Sequence, residues 1–248
     1  MEEARMGFAA DRRRFLVRFS GWLGGIWLVG HRSPGWSATD KNTAFQGGSM
    51  NLPLPRMEGA VSLEQAIMNR RTVRAFRSTA LAPGQVSQLL WAAQGITADR
   101  GALRAAPSAG ALYPMDVYVV VGKKGVDGIE AGVYHYGSRK HRLSAVSGGD
   151  VRERVARAAL SQKWMARAPI NLVITAEYRR ITAKYGKRGV RYAMIEAGHI
   201  GQNVFLQAEA LGLKAGIVGA FDDKGINRAL NIQLSHEPLL VMPVGYRR

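Results

Sequence analysis

Three guanidiniums and a hydroxyl fall within five residues at Arg70, Arg71, Thr72 and Arg74. Such a cluster can hold one phosphate dianion, because arginine grips it bidentately through charge-assisted bonds. A basic helix end, with its cations set against the helix dipole, accounts for the same run. Pro107-Ser108-Ala109-Gly110-Ala111 is a second candidate. Its small residues let backbone groups approach a flat ligand, and a serine hydroxyl adds one polar contact. A tight loop entering a strand accounts for it equally well. Gly216-Ile217-Val218-Gly219-Ala220-Phe221 can lay backbone against a ring face, with Phe221 closing one side, or be a plain strand-to-helix turn. Lys184-Tyr185 lies near Arg179, Arg180, Lys187 and Arg188. Such a pair can do general acid–base work if burial brings either group towards neutrality. A basic surface helix is the simpler account of that run.

The longest element available to position these residues covers 188–213. Val190, Ala193, Met194, Ala197, Ile200, Val204, Ala208 and Leu211 recur at spacings of three and four, which is a helical stripe. Ile195, Phe205 and Leu206 keep the opposite face from being polar. That pattern predicts a helix buried nearly all round, about 40 Å long at ~1.5 Å per residue. Gly198 and Gly201 each weaken it by roughly 1 kcal/mol against Ala. With Ala193 and Ala197 they leave room for a second backbone. Glu196, His199, Gln202 and Asn203, set among these small residues, read as hydrogen-bonded core polars.

Shorter elements surround this helix. Ser62 and Gln65 form a capping box for a helix over 62–71, with Leu63, Ala66 and Ile67 as its apolar stripe. Pro83 opens another helix, to residue 94, with Val86, Leu89, Leu90 and Ala93 inward, at the position where its missing N–H is not needed. Strands are predicted over 117–121, 131–136, 143–146, 170–176, 215–220 and 239–244, and further helices over 151–160, 181–185 and 222–230. Helices and strands mix without a regular strand–helix–strand beat, so the fold class is α+β.

The chain has 248 residues, no cysteine and a formal charge of +17. One folded domain is the default at this length. Disulfides, thiolate catalysis and zinc–cysteine sites are excluded. The charge favours anionic partners without selecting among them. Arg12-Arg13-Arg14-Phe15-Leu16 precedes a short apolar run over 19–30. At about 12 residues that run is too short to span a bilayer and suits a signal-peptide core. The pattern resembles a twin-arginine export signal, with an amphipathic membrane anchor or a misassigned start codon as alternatives. Export to the periplasm is therefore expected, against a cytoplasmic alternative. Residues 31–60, with Pro34, Gly35, Gly47, Gly48, Pro53 and Pro55, read as linker. The division expected is a leader and linker over 1–50 and a folded domain over 60–248.

Taken together, Arg70–Arg74, the run over 90–95 (LWAAQG), the run over 107–114 (PSAGALYP), the run over 132–136 (GVYHY), Lys184-Tyr185-Gly186, Glu196-Ala197-Gly198-His199 with Gln202-Asn203, and Gly219-Ala220-Phe221 resemble the nitroreductase family. Within it they resemble the SagB-type dehydrogenases, which include azoline-oxidising enzymes. The likeness covers about 60–246. It implies a central, mostly antiparallel mixed sheet flanked by helices, and an interlaced homodimer with the long helix in its core. It implies FMN bound between subunits, with NAD(P)H as a candidate electron donor. Carried over by residue, Arg70, Arg71, Thr72 and Arg74 hold the FMN phosphate or ribityl chain. Pro107, Ser108, Ala109, Gly110 and Leu112 meet the flavin, from the partner subunit, and Gly219 and Ala220 lie near its ring. Lys184 and Tyr185 match the catalytic pair of the azoline oxidases. Whether Arg247 or Arg248 joins the phosphate site stays open.

The implied activity is hydride transfer between flavin N5 and a small molecule or modified peptide. An NAD(P)H-dependent nitro- or flavin-reductase and a non-catalytic flavin- or anion-binding module are the alternatives. Nucleic acid is not an expected partner. The charge is spread along the chain, and no helix-turn-helix, zinc or aromatic–basic motif accompanies it. Stable membrane insertion of the folded domain is not expected either.

Overall fold

Val117, Val119 and Val121 face one side of strand β2 (Met115–Val121), Tyr118 and Val120 the other, and all five are buried. Strand β5 (Ile170–Ala176) repeats this, with Leu172 and Ile174 opposite Val173. A sheet covered on both faces needs continuous apolar strands rather than alternating ones. The computed structural model, which describes residues 48–98 and 103–248, places helices on both faces of that sheet.

Seven strands are ordered β1-β4-β3-β2-β5-β7-β6. The others are β1 (Ser49–Asn51), β3 (Gly132–Gly137), β4 (Arg142–Gly148), β6 (Lys214–Ala215) and β7 (Glu237–Gly245). Every strand pair is antiparallel. The parallel component expected of a mixed sheet is confined to isolated bridges, Thr72 with Ala215 and Leu81 with Val126. One face packs against helices α2 (Pro83–Gln94) and α5 (Arg188–Ala210). The other packs against α3 (Arg152–Ala158) and α6 (Asp223–Leu230). Helices α1 (Leu63–Asn69) and α4 (Arg179–Tyr185) flank α5. The class is α+β, as the mixed element order predicts.

Four expectations need correction. The strand read over 215–220 is realised only at β6, and Val218 makes an isolated bridge to Val241. Residues 49–51, read as linker, form a strand paired with β4, Met50 opposite Leu143. Met50 is buried there, and nothing in its Gly- and Pro-rich surroundings announces a strand. The stripe on α1 is realised only by Ala66, because Leu63 and Ile67 are exposed. Helix α5 is buried along one face. Its other side leaves Met194 53% and Ile195 48% exposed. Apolar residues all round a helix do not say whether this chain or a second one covers each side. The Ser62 half of the expected capping box forms, with the Gln65 N–H donating to Ser62 Oγ at 3.2 Å. The twin-arginine-like segment lies outside the described residues. Among the described residues no helix is long and apolar enough to cross a membrane.

Candidate functional site

The four sequence constellations meet in two pairs. Arg70–Arg74 leaves the end of α1 and runs beside β6. Thr72 bridges Ala215, and Val73 N–H donates to Ala215 O at 2.9 Å. The segment over 216–220 starts at that contact. A Cβ at Gly216 would lie 2.8 Å from both Val73 O and the Trp164 ring. Gly216 thus lets the arginine segment and the following turn touch. Gly219 and Ala220, just beyond, are exposed. Gly216→Val is expected to cost about 1–3 kcal/mol, the range for forcing atoms into a filled site. Urea unfolding measures it, and a variant as stable as the parent contradicts the contact.

Arg70 stacks over Phe205 at 5.3 Å and Arg74 over Trp164 at 5.9 Å. Arg71 Nη1 donates to Met68 O and Arg70 O, both at 2.8 Å. The helix-end account of this run is therefore realised by Arg71, which caps the carbonyls of α1. It does not exhaust the charge. Among the described residues none of the three guanidiniums has a carboxylate partner. The chain end adds to the same place. Phe76 bridges Arg247, and Arg248 N–H donates to Ala75 O at 3.1 Å.

The second pair is the loop over 107–114 with Lys184-Tyr185. Gly110 has φ +63°, and a Cβ there would lie 2.7 Å from Tyr185 Oη and 3.2 Å from Lys184 Nζ. Ala111 and Tyr113 also take positive φ, 53° and 48°. Non-glycine residues held there mark a loop fixed by its surroundings. Those surroundings are visible. Ser108 Oγ accepts from Tyr113 N–H at 3.0 Å, and Asn203 Nδ2 donates to Ala92 O and Ala105 O. Lys184 Nζ sits 5.3 Å from the Tyr185 ring centre, and Tyr185 meets Tyr192 edge-on at 5.2 Å. Lys184 is exposed and Tyr185 half-buried. The burial on which acid–base work depends is therefore not supplied to Lys184 by this chain alone. Pro107 is exposed at the loop entrance, with Ala109 and Leu112 half-buried behind it.

Glu196 and Asn203 behave as hydrogen-bonded core polars, whereas His199 and Gln202 are exposed. Glu196 Oε1 accepts from Gln94 Nε2 at 3.0 Å. Burial pushes the Glu196 carboxyl up, against the opposing effects of Ser108, Gln94 and Arg104. A carboxyl raised by folding is favoured in its protonated form. Stability is thus highest below the unfolded value and falls as pH rises towards the folded one. Glu196→Gln is expected to gain melting temperature over the parent between pH 4 and pH 8. Parallel melting curves for the two proteins across that range contradict this.

A further cluster escaped the sequence reading. Asp116 receives His135 Nε2 at 2.9 Å and Arg180 Nη1 at 2.8 Å, while Arg180 Nη2 reaches Glu177 at 2.7 Å. Burial pushes the Asp116 carboxyl up, but the His135 hydrogen bond and the Arg180 charge outweigh it and hold the group below its ordinary value. His236, Asp116 and Glu177 lie close enough to surround a metal ion. The Arg180 guanidinium already bridges the two carboxylates. Nothing in the spacing of 116, 135, 177, 180 and 236 signals this cluster, which joins residues of β2 and β3 to others at the start of α4 and just before β7.

Fold and site together define a family. The nitroreductase family model matches residues 67–246, and the chain belongs to that family. MJ1384 of Methanocaldococcus jannaschii, which carries the nitroreductase name, is 44% identical over 199 residues, 80% of this chain and 98% of its own. The microcin B17-processing protein McbC of Escherichia coli is 29% identical over 163 residues, 59% of this chain and 56% of its own. A solved structure from Ralstonia eutropha JMP134, also bearing the nitroreductase name, superposes with TM-score 0.70 at 27% identity, covering 81% of this chain and 90% of its own.

Proposed function

We propose that the chain is an FMN-dependent oxidoreductase of the SagB-type dehydrogenase branch, working as a homodimer with a flavin between its subunits. The observation carrying this reading is that one chain holds two unfinished half-sites. The guanidinium segment packs at Phe205, and the 107–114 loop packs at Glu196. Nine residues of helix separate those anchors by ~14 Å. A second copy brings the loop of one chain to the arginines of the other. Exposed Leu63, Ile67 and Met68 on α1 and Met194 and Ile195 on α5 supply apolar surface for that copy. Exposed apolar surface on a helix is a common mark of an interface.

The residues present fit FMN. Guanidiniums without carboxylates suit a phosphate dianion, and Arg70, Arg71, Thr72 and Arg74 hold it or the ribityl chain. Arg247 and Arg248 lie alongside and add charge. Gly219 and Ala220 are open and side-chain-poor where a ring needs close approach. Pro107, Ser108, Ala109, Gly110 and Leu112 of the second copy meet the other side. FMN, when bound, supplies the hydride chemistry, and the protein supplies orientation and electrostatics. Lys184 and Tyr185 hold or move the proton at the substrate atom.

The name of McbC supports a modified peptide as substrate. An NAD(P)H-dependent nitro- or flavin-reductase is the second reading, supported by the names of MJ1384 and the Ralstonia protein. Anaerobic titration of the flavin-loaded protein separates them. Bleaching by NADPH or NADH alone supports the reductase. Bleaching by a thiazoline or oxazoline peptide, with its oxidised product recovered, supports the dehydrogenase. A flavin reduced by neither sinks both. The segment that holds residues 12–16 and the apolar run over 19–30 is proposed to direct twin-arginine export of the domain that follows. Recovery of the expressed chain from cytoplasm only, with its N-terminus intact, contradicts that.

A further inference from the structure

A cleft of about 240 Å³ opens one turn of α4 before Lys184 and takes only Arg180 from the four sequence constellations. Arg104, Arg139 and Arg180 reach it from three separate segments, with Gln94, His135, Asp116 and Ser138 among its other polar residues. Asp116 is the single carboxylate among those residues, and His135 and Arg180 already engage it, at 2.9 and 2.8 Å. Arg180 is in turn shared with Glu177. Arg104 and Arg139 have no ion pair among the described residues.

Arg104 is held in place rather than merely nearby. Its Nη1 donates to Gln94 Oε1 at 3.1 Å, its guanidinium stacks 4.3 Å above the Tyr113 ring, and Gln94 is itself fixed by Glu196. Burial pulls this guanidinium below its ordinary value, only partly offset by Tyr113 and Glu196. A charge withdrawn from water and left unpaired is costly, so an anion supplied from outside is the natural partner. The guanidinium fork matches the plane and spacing of a carboxylate. The Asp116 charge in the same wall disfavours a dianion more than a monoanion.

We propose that this cleft binds the carboxylate of an organic substrate, gripped by Arg104 and Arg139, and so anchors that substrate's anionic end beside Lys184-Tyr185. The anchoring role rests on the proposed function; the binding itself does not. The cleft and the Lys184 site are linked through neighbouring residues. Arg180 and Lys184 lie one turn apart on α4, and Tyr113, under Arg104, ends the loop that Tyr185 touches through Gly110. The volume suits one acidic group with a few carbons, leaving the rest of a larger substrate outside.

The test is a calorimetric titration of the FMN-loaded protein with 4-nitrobenzoate and with its neutral analogue 4-nitrobenzamide. The carboxylate is expected to bind about tenfold tighter, the order of one charge-assisted bond. This preference shrinks as salt is raised. In Arg139→Gln the preference falls about threefold, since Arg139 is exposed and its charge partly screened. In Arg104→Gln it is lost. Equal affinity for the two compounds in the parent protein, or an unchanged preference in Arg139→Gln, overturns the proposal. If Arg104→Gln does not fold, Arg139→Gln decides alone. Flavin uptake is scored in the same samples. A protein that takes no flavin but keeps the preference sustains the cleft and overturns the proposed function. A flavin-loaded protein without the preference overturns the cleft alone.

Discussion

Arg71→Ala combined with Arg74→Ala is expected to weaken FMN binding by about a hundredfold or more. Each substitution removes a cation that has no carboxylate partner among the described residues. Nothing in the fold therefore needs that cation as an ion-pair partner. A charge-assisted hydrogen bond contributes about 1.5–3 kcal/mol, so each single change costs tenfold or more. Neighbouring sites do not add fully, which sets the combined figure near the lower bound of the product. Arg71 also caps Met68 O. A melting curve must therefore accompany the titration, to separate a frayed α1 from a lost phosphate contact. Flavin retained at parental affinity in the double variant removes this segment from the cofactor site. A mixing experiment sharpens the point. Gly110→Val strains the loop at φ +63° and drives a side chain into Tyr185 Oη. Chains carrying that change, co-expressed with the double-arginine variant, form hybrids in which one site has both halves intact. Such hybrids bind half the parental flavin if the halves come from different copies, and none if they come from one.

Lys184→Ala is expected to keep its flavin and lose turnover, by about a hundredfold, the lower end of what a positioned proton donor or acceptor contributes. The side chain is exposed and makes no ion pair among the described residues. Stability should therefore hardly change. Its Nζ lies toward Gly110 and the Tyr185 ring, so the loss falls on kcat rather than on flavin affinity. Full activity in Lys184→Ala removes it from the chemistry. Lost flavin together with lost activity makes it a structural support of the loop instead.

What the sequence discloses here follows from periodicity and local chemistry. The Ser62 cap, Pro83 at the first turn of α2, and the buried runs of β2 and β5 are local features, and each is found where its signal lies. The four constellations are legible because each is contiguous. Their pairing is not. Thr72 meets Ala215 although the two lie far apart in sequence order, and Gly110 meets Tyr185 only because the loop folds back on α4. The Asp116 cluster has no contiguous signal at all, since the pairing of β2 with β3 brings His135, and the turn from β5 into α4 brings Arg180, to one carboxylate. Helix α5 shows the converse. Met194 and Ile195 read as buried because apolarity alone does not say which side of a helix its own chain covers.

Native mass spectrometry of the purified protein incubated with FMN tests the central claim most directly. The predicted species contains two chains and two FMN molecules, with no flavin on single chains. Single chains that carry FMN, or paired chains that carry none, contradict a cofactor site assembled from two copies.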